Sequence, residues 1–228
     1  MKVVLSRKGM DSRAGGIPSP ILPDGTLLSL PIPNEKSGVP YRDLVYKGRT
    51  YQQIIQQIHP TFDFQKHPFC HLDPDIYGVL KNTHAGWKPA FGQYEIPAKH
   101  LDGQGVDVGD VFLFYGMFRQ TEKLPDGTLH FVKGAPIQHI IYGYMVVSEI
   151  LKDQDKIKEL YPWHPHAAST EHPDNRLYLA TDYGVFENRD LSFSVNRVSR
   201  TVGFGICLLS APLVTSSFLG RVRIPPCW

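Results

Sequence analysis

Cysteine is scarce in this chain: there are 3 in 228 residues, at Cys70, Cys207 and Cys227. Thiols so far apart offer no close pair for a zinc knuckle or a redox motif, and they read as buried or incidental side chains in a reducing compartment. Long apolar runs are missing as well. No segment approaches the roughly 18 apolar residues that a membrane-spanning helix needs. The opening Met1-Lys2-Val3-Val4-Leu5-Ser6-Arg7-Lys8 returns to charge too soon for a signal peptide. The expected compartment is the cytoplasm, with no membrane partner. Net charge is only +2 at pH 7, with a pI near 8.4. This excludes a protein held on DNA by bulk electrostatics, so any nucleic-acid contact has to come from a local basic patch. Also missing are the phosphate loop Gly-x-x-x-x-Gly-Lys-Ser/Thr, the Gly-x-Ser-x-Gly elbow, a dinucleotide fingerprint and a methyl-donor loop. Cys70 abuts His71, but neighbours on a strand point to opposite faces, which argues against a Cys–His catalytic pair. With no internal repeat, low-complexity tract or linker, the chain reads as one domain over residues 1–228.

What the chain does have is punctuation. It holds 19 prolines and 20 glycines among 42% hydrophobic and 20% charged residues, a globular composition rich in turns and short strands. The fold class expected is β-rich α+β. Strands are predicted at residues 2–6, 111–115, 128–132, 139–151, 176–181 and 203–209. Pro23-Asp24-Gly25 and Pro125-Asp126-Gly127 mark turns, the first of them a hairpin. Tyr51, Ile54, Ile55 and Ile58 have helical spacing, and shorter helices are predicted at 96–101 and 156–161. Residues 59–92 read as an ordered loop region with short strands. The continuous run Val111-Phe112-Leu113-Phe114-Tyr115 is that of a strand buried on both faces, and Gly143 inside a strand signals a bulge or a close approach. The segments 109–119 and 139–151 are similar to the core of PUA-like barrels, including the EVE and ASCH groups. That similarity implies a mixed or antiparallel barrel core with short peripheral helices.

Several residue groups have the chemistry of a site. Ser6, Arg7 and Lys8 end the first strand just before a Gly-rich loop, where adjacent cations and backbone N–H groups suit a phosphate; Asp11 can orient Arg7. The bland alternative is a solvated basic turn. His71, Asp73 and Asp75 alternate, so on an extended segment they share a face. They can hold a divalent metal, divide acid and base roles, or cap a turn. His164 and His166 flank Pro165 beside Trp163, an aromatic plate suited to stacking a base, or else they are satisfied loop histidines. Arg119 ends the strongest strand and either points into a site or exits to solvent. Gln93 has an amide suited to a base edge or to a turn. Arg197, Arg200, Arg221 and Arg223 make the C-terminal third basic.

The stretch from Ser6 to Asp11, the run Gly15-Gly16-Ile17-Pro18-Ser19-Pro20-Ile21-Leu22-Pro23-Asp24-Gly25-Thr26, His71-Leu72-Asp73-Pro74-Asp75, Phe91-Gly92-Gln93, residues 109–119 and His164-Pro165-His166 together resemble the nucleotide modification associated domain of the third type. This is a family of bacterial and phage proteins proposed to act in DNA-modification systems. The resemblance runs nearly end to end and implies a nucleotide or DNA substrate, with other DNA-modification enzymes as candidate partners. It supplies no reaction and no cofactor. Residues 93–99 depart from the small residues it implies there. The reading that follows is an enzyme on a nucleotide or DNA base, with Arg7, Lys8 and Arg119 on phosphate, His71, Asp73, His164 or His166 moving protons, and Trp163 stacking the base. The alternatives are a non-catalytic reader of modified bases and a metal-dependent nuclease using His71, Asp73 and Asp75.

Overall fold

The computed structural model describes residues 1–36, 38–186, 192–193 and 206–209. In chain order the elements begin β1 (Val3–Arg7), β2 (Ser19–Ile21), β3 (Ile32–Pro33), β4 (Val39–Pro40), β5 (Val45–Tyr46), β6 (Arg49–Thr50) and α1 (Tyr51–Ile58). They continue with β7 (Phe69–His71), β8 (Ala90–Gln93), α2 (Glu95–Gly103), β9 (Val111–Lys123), β10 (Leu129–Phe131), β11 (Gln138–Leu151) and α3 (Gln154–Leu160). A 3-10 turn (Pro165–Ser169), β12 (Arg176–Val185), β13 (Ser192–Phe193) and β14 (Ile206–Leu209) complete the set. The fold is the expected β-rich α+β type. Arg197, Arg200, Arg221, Arg223 and Cys227 lie outside the described residues.

The main sheet has the order β14-β1-β9-β11-β12-β8, with β2 and β10 also on β9 and β13 on β11. β1 and β2 run parallel to β9, and the other pairs are antiparallel. The apolar run at 111–115 buries both faces, as its pattern requires. Val3, Leu5, Val111, Leu113 and Tyr115 pack on one side, while Val4, Phe112, Phe114, Phe91 and Tyr178 pack on the other. Gly143 sits at a register shift between β9 and β11, where an added Cβ would come 2.2 Å from Ile76 Cδ1. The sheet remains open at β14 and β8, and the described residues form no closed barrel. The PUA-like barrel core expected from residues 109–119 and 139–151 is therefore not borne out by the described residues.

A second layer covers one end of this sheet, with β3-β7-β4 as a small sheet and α1 packed nearby. α1 starts at a capping box, in which Thr50 Oγ1 accepts from Gln53 N at 3.0 Å and Gln53 Oε1 accepts from Thr50 N at 2.9 Å. Its buried stripe is the predicted Tyr51, Ile54, Ile55 and Ile58. Each such side chain contributes about 1.5–3 kcal/mol on burial, against about 1 kcal/mol for a cap, so packing holds this helix more than its start signal does. β7 belongs to this layer and β8 to the main sheet, and the cavity described next lies between them. No helix among the described residues is long and apolar enough to cross a membrane.

Candidate functional site

The site is centred on Asp73, two residues beyond the end of β7 and with its side chain fully buried. Its two carboxylate oxygens face different neighbours. Oδ1 accepts from the Gly92 backbone N–H at 2.9 Å and lies 3.4 Å from His164 Nε2. Oδ2 accepts from Lys8 Nζ at 2.9 Å and lies 3.6 Å from His71 Nε2 and 3.9 Å from His166 Nε2. Burial works against the charge on Asp73, but the Lys8 ammonium and the imidazoles of His164 and His71 outweigh it. They hold the carboxyl well below the usual carboxylate range.

Hydrogen bonds around the imidazoles fix which nitrogen carries the proton. Asn175 Nδ2 donates to Gln154 Oε1 and to the His166 carbonyl, both at 3.0 Å, which leaves Asn175 Oδ1 as an acceptor. His166 Nδ1 lies 2.7 Å from that oxygen and so holds the proton, and Nε2 turns a lone pair toward Asp73. His164 is the reverse case. Its Nδ1 accepts from the His166 backbone N–H at 3.2 Å, so Nε2 carries the proton toward Asp73 Oδ1 and the Ala90 carbonyl. Burial pushes His166 down to about 3. It lowers His71 too, with the hydrogen bond to Asp73 partly offsetting it.

Beside this centre opens a cavity of about 350 Å³ lined by Arg7, Lys8, Asp11, His71, Asp73 and Tyr77, among others. An adjoining lobe, also about 350 Å³, is lined by Asn34, Gln93, Tyr94, Glu95 and His166 and shares Lys8, Ile32, His71 and Asp73 with the first. Volumes of several hundred cubic ångströms suit a small organic ligand. At the mouth, the Arg7 guanidinium is 43% exposed and pairs with Asp11 Oδ2 at 2.5 Å. Asp11 Oδ1 in turn accepts from the backbone N–H groups of Arg13 and Ala14 at 2.7 and 2.8 Å, tying the Gly-rich loop to the cation. In the second lobe Tyr94 stacks on His172, with ring centroids 4.6 Å apart, and stands 5.4 Å from the His166 ring. The backbone turns there through Glu95 at φ 53°, a left-handed conformation that costs a non-glycine residue about 1–3 kcal/mol.

Of the residues singled out in the sequence, Arg7, Lys8, Asp11, His71, Asp73, Gln93 and His166 line the joined cavity, and His164 supports Asp73 from behind. The others lie elsewhere. Ser6 is buried within the sheet, one position before Arg7 on β1. Arg119 donates to the Val132 carbonyl at 3.1 Å and lies over Phe131. Trp163 packs in the core near Trp87 and Tyr161. Asp75 turns its carboxylate to Val79 N, Leu80 N and Trp87 Nε1, and burial raises its pKa. Four participants had no assigned role in the sequence reading: Asn34, Gly92, Tyr94 and Asn175. Only Gly92 left a signal, as part of the Phe91-Gly92-Gln93 motif, and the structure places it inside β8, where close approach is the usual reason for a glycine. An added Cβ there would come 2.2 Å from the His166 ring. Tyr94 lies in the stretch where small residues were implied, and it lines the cavity nonetheless.

No curated protein and no solved structure gives a significant match to the chain. The family model described as nucleotide modification associated domain 3 matches residues 2–204, and the chain belongs to that family.

Proposed function

We propose that this chain is an enzyme acting on a nucleotide or a nucleic-acid base within a bacterial or phage DNA-modification or defence system, working in the cytoplasm. Family membership supports a role associated with nucleotide modification. The observation that carries the catalytic part is the convergence of Lys8, His71, His164 and His166 on the buried Asp73, at the wall of a cavity whose mouth holds Arg7. Arg7 supplies a fork for phosphate, steadied by Asp11. His71, with an 18% exposed side chain, can meet a bound base. Tyr94 offers the aromatic plate expected of Trp163. A base within a duplex would have to leave the stack to reach this depth.

The titratable floor of the cavity favours an enzyme over a reader, because Lys8, His71, His164 and His166 around one carboxylate offer both proton donors and proton acceptors. A nuclease built on Asp75 has little support, since that carboxylate is already taken by three donors. The test is mass spectrometry of nucleosides from DNA and from the nucleotide pool of cells with and without the protein. The comparison includes the Arg7→Ala and His71→Ala variants. A modified nucleoside present with the wild type and lost in both variants, each melting within a few degrees of wild type, is expected. Identical nucleoside profiles with and without the protein would sink the enzyme reading.

A further inference from the structure

We infer that His71 Nε2, Asp73 Oδ2 and His166 Nε2 form a binding site for one divalent first-row transition metal ion. The inference deepens the enzymatic reading of this cavity and rests on it only for the metal's role in chemistry. Three observations carry it. The donor atoms of these residues all lie within 4.8 Å of one another. Metal–nitrogen and metal–oxygen bonds of about 2.0–2.2 Å place adjacent donors roughly 3–3.4 Å apart, so His71 at 3.6 Å and His166 at 3.9 Å from the carboxylate need only a small closure. Second, His166 turns an unprotonated Nε2 toward a carboxylate oxygen beyond hydrogen-bond distance. Two lone-pair donors face each other there, an arrangement that a cation between them would satisfy and that the Lys8 ammonium at 2.9 Å from Oδ2 offsets in the metal-free chain.

The third observation is the surrounding scaffold. Metal-binding imidazoles are characteristically oriented by a hydrogen bond on the other ring nitrogen. Asn175 does this for His166, whereas at His71 the Asn34 amide nitrogen donates to Nδ1 at 3.0 Å, so His71 Nε2 carries a proton toward Asp73 that an entering ion has to displace. Gly92 N–H and His164 hold Asp73 Oδ1, which leaves Oδ2 for the ion. Two imidazoles and one carboxylate select iron, cobalt, nickel or zinc over magnesium or calcium, and leave coordination positions open toward the cavity. In the metal-free chain the Lys8 ammonium supplies the positive charge at Oδ2. Its side chain is 14% exposed and borders the cavity, so it can withdraw as the ion enters.

The experiment uses the untagged full-length chain, stripped with chelator and titrated with cobalt(II) while its visible ligand-field bands are recorded. Calorimetry with zinc(II) and magnesium(II) runs in parallel. One equivalent of cobalt and of zinc is expected, with no comparable uptake of magnesium. His71→Ala and His166→Ala should each lower affinity at least a hundredfold, and Asn175→Ala about tenfold, in line with losses of oriented ligands. Lys8→Met should bind as tightly as wild type or more so, which no purely structural ion pair would predict. Absence of stoichiometric uptake by the wild type overturns the site, as does uptake that survives the paired removal of His71 and His166. If either histidine variant fails to fold, the Lys8→Met and Asn175→Ala titrations decide the matter. These readouts need no substrate, so the metal site and the enzymatic reading can fail separately.

Discussion

Lys8 Nζ and Asp73 Oδ2 meet at 2.9 Å although 65 positions separate them in the chain. The contact joins the loop after β1 to the segment after β7, and therefore ties the main sheet to the smaller one. The ammonium also lies 4.2 Å from the centre of the Phe91 ring, a cation–π contact that holds it over the floor of the cavity. A buried pair of this kind is weak as a source of net stability but costly to break on one side.

Asp73→Asn and Lys8→Met, each made in metal-free protein, should lose about 3 kcal/mol, the usual cost of leaving one member of a buried ion pair without its partner. The double variant should lose at least about 1 kcal/mol less than the sum, as contacting residues do. Urea unfolding of the four proteins measures this. Strictly additive losses would mean that the pair has no energetic coupling.

Gly92→Ala should disable the site through one methyl group. The backbone at Gly92 lies outside the left-handed region, so the effect comes from the new Cβ, 2.2 Å from the His166 ring, and not from strain. Overpacking of this kind costs about 1–3 kcal/mol. Ligand affinity should fall about tenfold or more as His166 is pushed aside. A variant that binds nucleotide like wild type would show that His166 does not need its present position.

Asp75→Asn separates structure from chemistry. An amide can satisfy only part of what the carboxylate accepts from Val79, Leu80 and Trp87, and one buried N–H would be left facing another. The expected loss is about 1–3 kcal/mol, with activity per folded molecule unchanged. Abolished turnover in a fully folded Asp75→Asn protein would bring Asp75 back into the reaction.

Acid should destabilise the metal-free protein already above the range where its ordinary carboxylates titrate. His166 is held near 3 in the fold against 6.5 when unfolded, so between those values the unfolded chain binds the extra proton. Stability then falls as pH drops from about 6.5 toward 3, and His71 adds to the slope in the same direction. Melting temperature measured against pH should decline through this window and flatten in His166→Gln. An unchanged slope in that variant would remove His166 as its source.

Elements with a strong local pattern were legible from residues alone. α1 has the bounds its isoleucine spacing implies, and β9 has the double burial its apolar run implies. Arg7 and Asp11 were legible as a pair because they stand four positions apart across one turn of loop. Trp163 beside His164 looks the same in sequence whether it packs inward or lines a cavity, and only its tertiary neighbour Trp87 decides. Arg119 reads in sequence as ending a strand, but β9 runs on to Lys123 and sets the guanidinium over Phe131. Asn34 and Asn175 left no local trace, since what each does depends on a histidine brought to it by the fold. The alternation of His71, Asp73 and Asp75 suggested a shared face, and the turn closed by Gly78 N on the Asp75 carbonyl sends the last carboxylate elsewhere.

Residues drawn from positions 7–11, 71–73, 92–94 and 164–175 surround one carboxylate, and β8, which brings Gly92, is itself held by β12 at 176–179. On the ribosome, therefore, a nascent chain that has not reached about residue 175 cannot assemble the shell around Asp73, because Asn175 and the strand that holds β8 come last.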